Sequence, residues 1–69
     1  MKYLFQDLII GAILTKYGVD ISKYESLFSL IKADNNINNG VVSVFTEGKQ
    51  TDYEFTVITT KKQCEVVKI

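Results

Sequence analysis

Apolar residues recur every three to four positions through the first half of the chain and then alternate with polar ones after residue 40. That change of period predicts helices followed by strands. Leu4, Phe5, Leu8, Ile9, Ala12 and Ile13 make one helical stripe, and the first helix is expected from about Lys2 to Tyr17. Gly18 is placed as the residue just past its end, followed by Val19 as the apolar residue that commonly accompanies such a cap. A second helix is expected from about Ser22 to Ala33. Ser22 and Glu25 have the spacing of a capping box, and Tyr24, Leu27, Phe28 and Ile31 then repeat at helical intervals.

The stretch Asp34-Asn35-Asn36-Ile37-Asn38-Asn39-Gly40 reads as a loop, because Asn and Asp favour turns over helix interiors. Strands are expected at Val41–Glu47, Asp52–Thr60 and Cys64–Ile69, with turns at Gly48-Lys49 and Lys61–Gln63. Pairing Val44 with Tyr53, Val42 with Phe55, Phe55 with Ile69 and Val57 with Val67 gathers these apolar residues on one face. The predicted fold is one small α+β domain over residues 1–69 with element order ααβββ. An αα-hairpin (1–34) and an Asn-rich loop (34–40) precede a three-stranded antiparallel meander (41–69), and the hairpin packs on one face of that sheet.

Helix 1 carries more apolar residues than one docking face requires. Tyr3, Ile10, Leu14 and Tyr17 form a second stripe. Either helix 2 covers it, or it is an interface with another protein or a second copy of the chain. The outward face of the sheet is a secondary partner-binding candidate through Phe45, Ile58 and Val66.

Composition narrows the chemistry. The chain has 69 residues, eight basic and eight acidic, with no histidine and one cysteine, Cys64. Every basic residue is lysine, and the charges balance within each half. A neutral chain without arginine is poorly suited to nucleic acid, where phosphate neutralisation dominates affinity. An intrachain disulfide is excluded, and so is any zinc site that needs histidine or several thiolates. No metal and no cofactor is expected. Glycines 11, 18, 40 and 48 do not match a phosphate-binding loop. Without histidine there is no Ser-His-Asp or Cys-His arrangement, and the carboxylates Glu47, Asp52 and Glu54 read as a solvated hairpin rather than an acid/base pair.

Around Gly18, the apolar residues Ile13, Tyr17, Val19, Tyr24 and Leu27 fall on the buried positions of a helix-turn-helix, so this span resembles that family. The resemblance implies DNA binding by a second, recognition helix. Leu14 stands where the family has a small residue, however. Asp20, Ile21, Ser22, Glu25, Ser26 and Ser29 would face the groove and supply little to read bases.

The run Leu8–Leu14 is too short to span a bilayer, so no membrane is expected and the compartment is expected to be the cytoplasm. Richness in Ile, Asn, Lys and Tyr fits AT-rich coding, as in a phage or other mobile element. The function expected is therefore non-catalytic: a small protein-protein interaction module that regulates or stoichiometrically inhibits a partner. A helix-turn-helix-like transcriptional regulator is the alternative.

Overall fold

The computed structural model describes residues 5–69. Helix α1 (Gln6–Tyr17) leads through a 3₁₀ turn (Ile21–Lys23) into strands β1 (Glu25–Ala33), β2 (Ile37–Thr46), β3 (Lys49–Ile58) and β4 (Gln63–Lys68). The strands form one antiparallel sheet in the order β1-β2-β3-β4. The chain is still α+β, but the expected αα-hairpin on three strands is overturned: the described residues form one α-helix on a four-stranded meander.

Helix α1 ends where the sequence predicts. Gly18 adopts φ 72°, and its N–H donates to Leu14 O at 2.9 Å. Only glycine takes this left-handed geometry without a Cβ penalty. The expected second helix does not form. The Asp20 carboxylate accepts from the backbone N–H and the hydroxyl of Ser22, which closes a short turn instead of a capping box. Residues 25–33 then extend and pair with β2. Their doublets Leu27-Phe28 and Leu30-Ile31 suit a period of 2 as well as 3.6. Ser26 and Ser29 are mediocre helix formers, so the long-range pairing decides.

The turn that makes this pairing possible lies inside the Asn-rich stretch. Asp34 Oδ1 accepts from the N–H groups of Asn36 (2.8 Å) and Ile37 (2.7 Å), and the Asp34 N–H donates to Ile37 O at 3.0 Å. The loop therefore shrinks to Asn35-Asn36, and Asn38, Asn39 and Gly40 belong to β2.

Ile9 and Ile13 of α1 and Ile21 of the turn pack against Val42, Val44, Tyr53, Phe55, Val57 and Val66. Gly40 lies across from Leu30 on one side and Phe55 on the other. A Cβ there would run into Ser29 O and come within 3.0 Å of Leu30 Cα and of the Phe55 ring. The missing side chain lets that ring cover the β2 backbone and meet Phe28 edge-on, with centroids 6.4 Å apart.

Two registers differ from expectation. The β2–β3 turn is Glu47-Gly48, with φ 48° and 81°, and it sets Val42 opposite Tyr53 rather than Phe55. An even slip of this kind preserves the faces. Lys62 (φ 52°) closes the last turn so that Phe55 faces Val66 and Val57 faces Cys64. This odd slip turns β4 over. Val66 enters the core, while Val67 and Ile69, expected inside, are exposed.

Two outcomes test this construction. Gly40→Ala should destabilise the fold by about 1–3 kcal/mol, the usual cost of overpacking, read as a lower urea midpoint. Asp34 is held below its usual value of 3.8, first by the Ile37 N–H and then by the Asn36 N–H. Its contribution should be present above that usual value and lost as pH falls through the depressed one. Asp34→Ala should therefore lower the melting midpoint at about pH 7 and change it little at about pH 2.

Candidate functional site

An antiparallel sheet has two edges, each with unpaired backbone groups that can accept another strand. In this molecule the two are treated differently. The Ile69 N–H donates to Asp52 O at 2.9 Å. By the alternation of antiparallel bonding, the backbone groups of Lys68, Val66 and Cys64 then point away from β3. Helix α1 meets them there. Lys16 Nζ donates to Val66 O at 2.7 Å, and the Lys68 N–H donates to the Tyr17 hydroxyl at 2.8 Å. The Tyr17 ring leans on Tyr53 at 5.4 Å, with the Lys16 ammonium 5.5 Å from its centroid. Two of the outward groups of β4, the Val66 carbonyl and the Lys68 N–H, are thus taken up by α1.

Among the described residues, no strand pairs with the outer side of β1. Thr59 N–H donates to Asn36 O (2.8 Å) and Asp34 N–H to Ile37 O (3.0 Å). Alternation from these two bonds directs odd-numbered β2 residues toward β1. Glu25, Leu27 and Ser29 consequently bond to Phe45, Ser43 and Val41. The N–H and C=O groups of Ser26, Phe28 and Leu30 face outward, and among the described residues no strand pairs with that side. Leu27 is 60% exposed, Leu30 47% and Ile31 69%. The strand carries charge only at Glu25 and Lys32, and an irregularity between Leu30 and Lys32 leaves Ile31 without a cross-strand partner. A nine-residue edge with an uncharged, apolar middle lacks the charge or proline that usually guards such edges.

The partner-binding residues expected from sequence are dispersed. Tyr3 lies outside the described residues. Ile10 and Tyr17 pack against the core cluster, and Leu14 is exposed on α1. Phe45 and Ile58 lie on the open sheet face, Phe45 beside Glu25 and Gln50. Val66 is 2% exposed and turned toward α1, so it is corrected from outer face to core. The β1 edge itself escaped the sequence reading. The order Ser-Leu-Phe-Ser-Leu at residues 26–30 carries no period-2 alternation that could have revealed it.

A groove of about 720 Å³ runs between α1 and β4, lined by Asp7, Leu8, Gly11, Ala12, Thr15 and Cys64 among others. Burial pushes the Cys64 thiol up to about 11, and the Glu65 carboxylate adds to the effect. A thiol in that state is a poor nucleophile. Asp52, one of the expected acidic group, is held below 3.8 by hydrogen bonds first from Gln50 and then from Ser43, so it stays an ordinary carboxylate. Among the described residues no group of three or more Cys, Asp or Glu is placed to hold a metal, and no helix is long and apolar enough to cross a membrane. The helix-turn-helix resemblance loses its basis, because its recognition helix corresponds to the 3₁₀ turn and β1.

Comparisons with protein-family models, with curated proteins and with solved structures found no match. The site is therefore read from its geometry alone. Cys64 should alkylate with iodoacetamide about 100-fold more slowly at about pH 8 than an exposed cysteine, and at the ordinary rate once the protein is unfolded in urea. A fast-reacting native thiol would contradict the environment described.

Proposed function

We propose that this chain is a non-catalytic protein-interaction module that accepts an extended strand of a partner along β1 and regulates or inhibits that partner by holding it. The observation that carries this reading is the difference between the two sheet edges. At the β4 edge two side chains of α1 take up two of the outward groups, the Val66 carbonyl and the Lys68 N–H. Among the described residues no strand pairs with the outward side of β1, where the backbone groups of Ser26 and Leu30 lie beside exposed Leu27 and Leu30. Strand addition uses such an edge directly: main-chain hydrogen bonds supply affinity, and alternate side chains supply selectivity. The raised Cys64 thiol supports a role other than covalent chemistry.

The test is a selection of binders from a displayed library of random linear peptides. Peptides that bind should protect the amides of Ser26, Phe28 and Leu30 from hydrogen exchange. Ser26→Pro should weaken them by about tenfold or more, since it removes one outward donor and obstructs its neighbours. Because the Ser26 N–H points away from β2, the variant should keep its circular dichroism. Protection confined to the α1–β4 groove, or indifference to Ser26→Pro, would defeat the proposal.

A further inference from the structure

We infer that the outward face of the sheet, the side away from α1, docks an amphipathic helix of a partner protein that carries lysine or arginine beside an apolar stripe. This surface is separate from the β1 edge and goes beyond the strand-accepting reading. The register of the strands decides which residues share it.

Charge is the first observation. The strand pairing puts Glu25, Asp52, Glu54 and Glu65 on the outward face. Lys49 and Lys68 fall on the helix side, across from Thr46 and Tyr53, and Lys16 reaches Val66 O from α1. A chain with equal numbers of acidic and basic residues is thus divided by its own sheet. Asp52 and Glu54 stand two residues apart on one strand, about 7 Å. Glu54 and Glu65 are diagonal neighbours on β3 and β4, about 7–8 Å apart. Among the residues of the strands, the one cation on this face is Lys32, across from Asn39. Three strand spacings, about 14 Å, separate it from Glu65, beyond the screening length of about 8 Å at physiological salt. Carboxylates held this close repel one another, and cations of a partner relieve that repulsion.

The second observation is apolar surface interleaved with those carboxylates. Phe45 lies across from Glu25, Val67 lies across from Glu54, and Leu27 shares the row of Asp52. All three side chains are exposed. A partner therefore meets acidic and apolar positions together, which is the complement of a basic amphipathic surface.

The third is the layering. The backbone of the inner strands β2 and β3 is bonded within the plane of the sheet, so this face offers side chains and cannot add a strand. Helix α1 already packs on the opposite face. A four-stranded sheet, about 14 Å across, is wide enough to seat a helix of about 10–12 Å diameter, and helices on both faces of a sheet are a stable arrangement of layers. A helix laid there sets its apolar stripe on Phe45 and Val67 and its flanking cations on the carboxylates. The same carboxylates refuse a phosphate backbone or an anionic lipid surface.

Calorimetric titration with a short Leu/Lys peptide patterned as an amphipathic helix tests the inference, beside a scrambled peptide of the same composition and a Leu/Glu peptide of the same pattern. The patterned basic peptide should bind at low salt, and the other two about tenfold or more weakly. Glu54→Lys and Glu65→Lys should each weaken it by about tenfold, and Val67→Ser by about threefold or more. Glu47→Lys makes the same charge change in the β2–β3 turn and should stay within about twofold of the native chain. These variants should keep native circular dichroism. Ser26→Pro should leave this binding unchanged, which separates the outward face from the β1 edge. Equal binding of the scrambled peptide, or equal losses from Glu47→Lys and Glu54→Lys, would mean attraction by bulk charge alone and overturn the docking face. No binding of the patterned peptide overturns it too. So does self-association in sedimentation velocity that Glu54→Lys abolishes, since the face would then belong to a second copy.

Discussion

A helix is about 10 Å across with its side chains, and neighbouring strands lie about 4.8 Å apart, so one helix covers about two strands of a sheet. This chain sets one helix of twelve residues against four strands. Much of the rest of the structure depends on that mismatch. Helix α1 settles toward β3 and β4, and the residues buried most completely are those within reach of Ile9 and Ile13. Strand β1 lies furthest from the helix and keeps its apolar side chains in contact with water.

The same placement decides the fate of the edges. Because α1 lies along β4, its last turn reaches that strand's outward carbonyl and amide, and Lys16 and Tyr17 close them. Lys16 also stands in the last turn, where a cation suits the negative end of the helix dipole. Nothing comparable can reach β1 from α1. Instead, β1 is held from its inner side by the narrow turn at Asp34, by its ladder with β2, and by the Phe28–Phe55 contact that Gly40 permits. These interactions fix where the strand lies, and among the described residues no strand pairs with its outer side.

Parts of this architecture were legible in the residues. Gly18 marked the end of α1, and Val42, Val44, Tyr53, Phe55 and Val57 declared a shared face through their alternation. The Leu27-Phe28 and Leu30-Ile31 doublets were not decisive, because two adjacent apolar residues satisfy a helix stripe and both faces of an exposed strand alike. The run of four asparagines concealed the start of β2 for a related reason. Asn is depleted in strands, yet Asn38 is buried opposite Val57 and Asn39 pairs with Lys32. Tertiary pairing overrode that preference. Of the second stripe of α1, Ile10 and Tyr17 are partly buried against the core and Leu14 is exposed, while β1 carries exposed apolar residues of its own. The face of β4 turned on the length of one turn, a quantity that apolar spacing does not carry.

The distribution of charge on β1 bears on why such a strand would be kept. An edge that only had to stay unpaired would gain most from a lysine at its centre, where any incoming strand must pass. Here the centre is Ser-Leu-Phe-Ser-Leu, and the charges stand at the two ends with opposite sign. Charges in those positions do little to refuse an antiparallel strand. An edge whose charges stand only at its two ends is weakly defended along its middle.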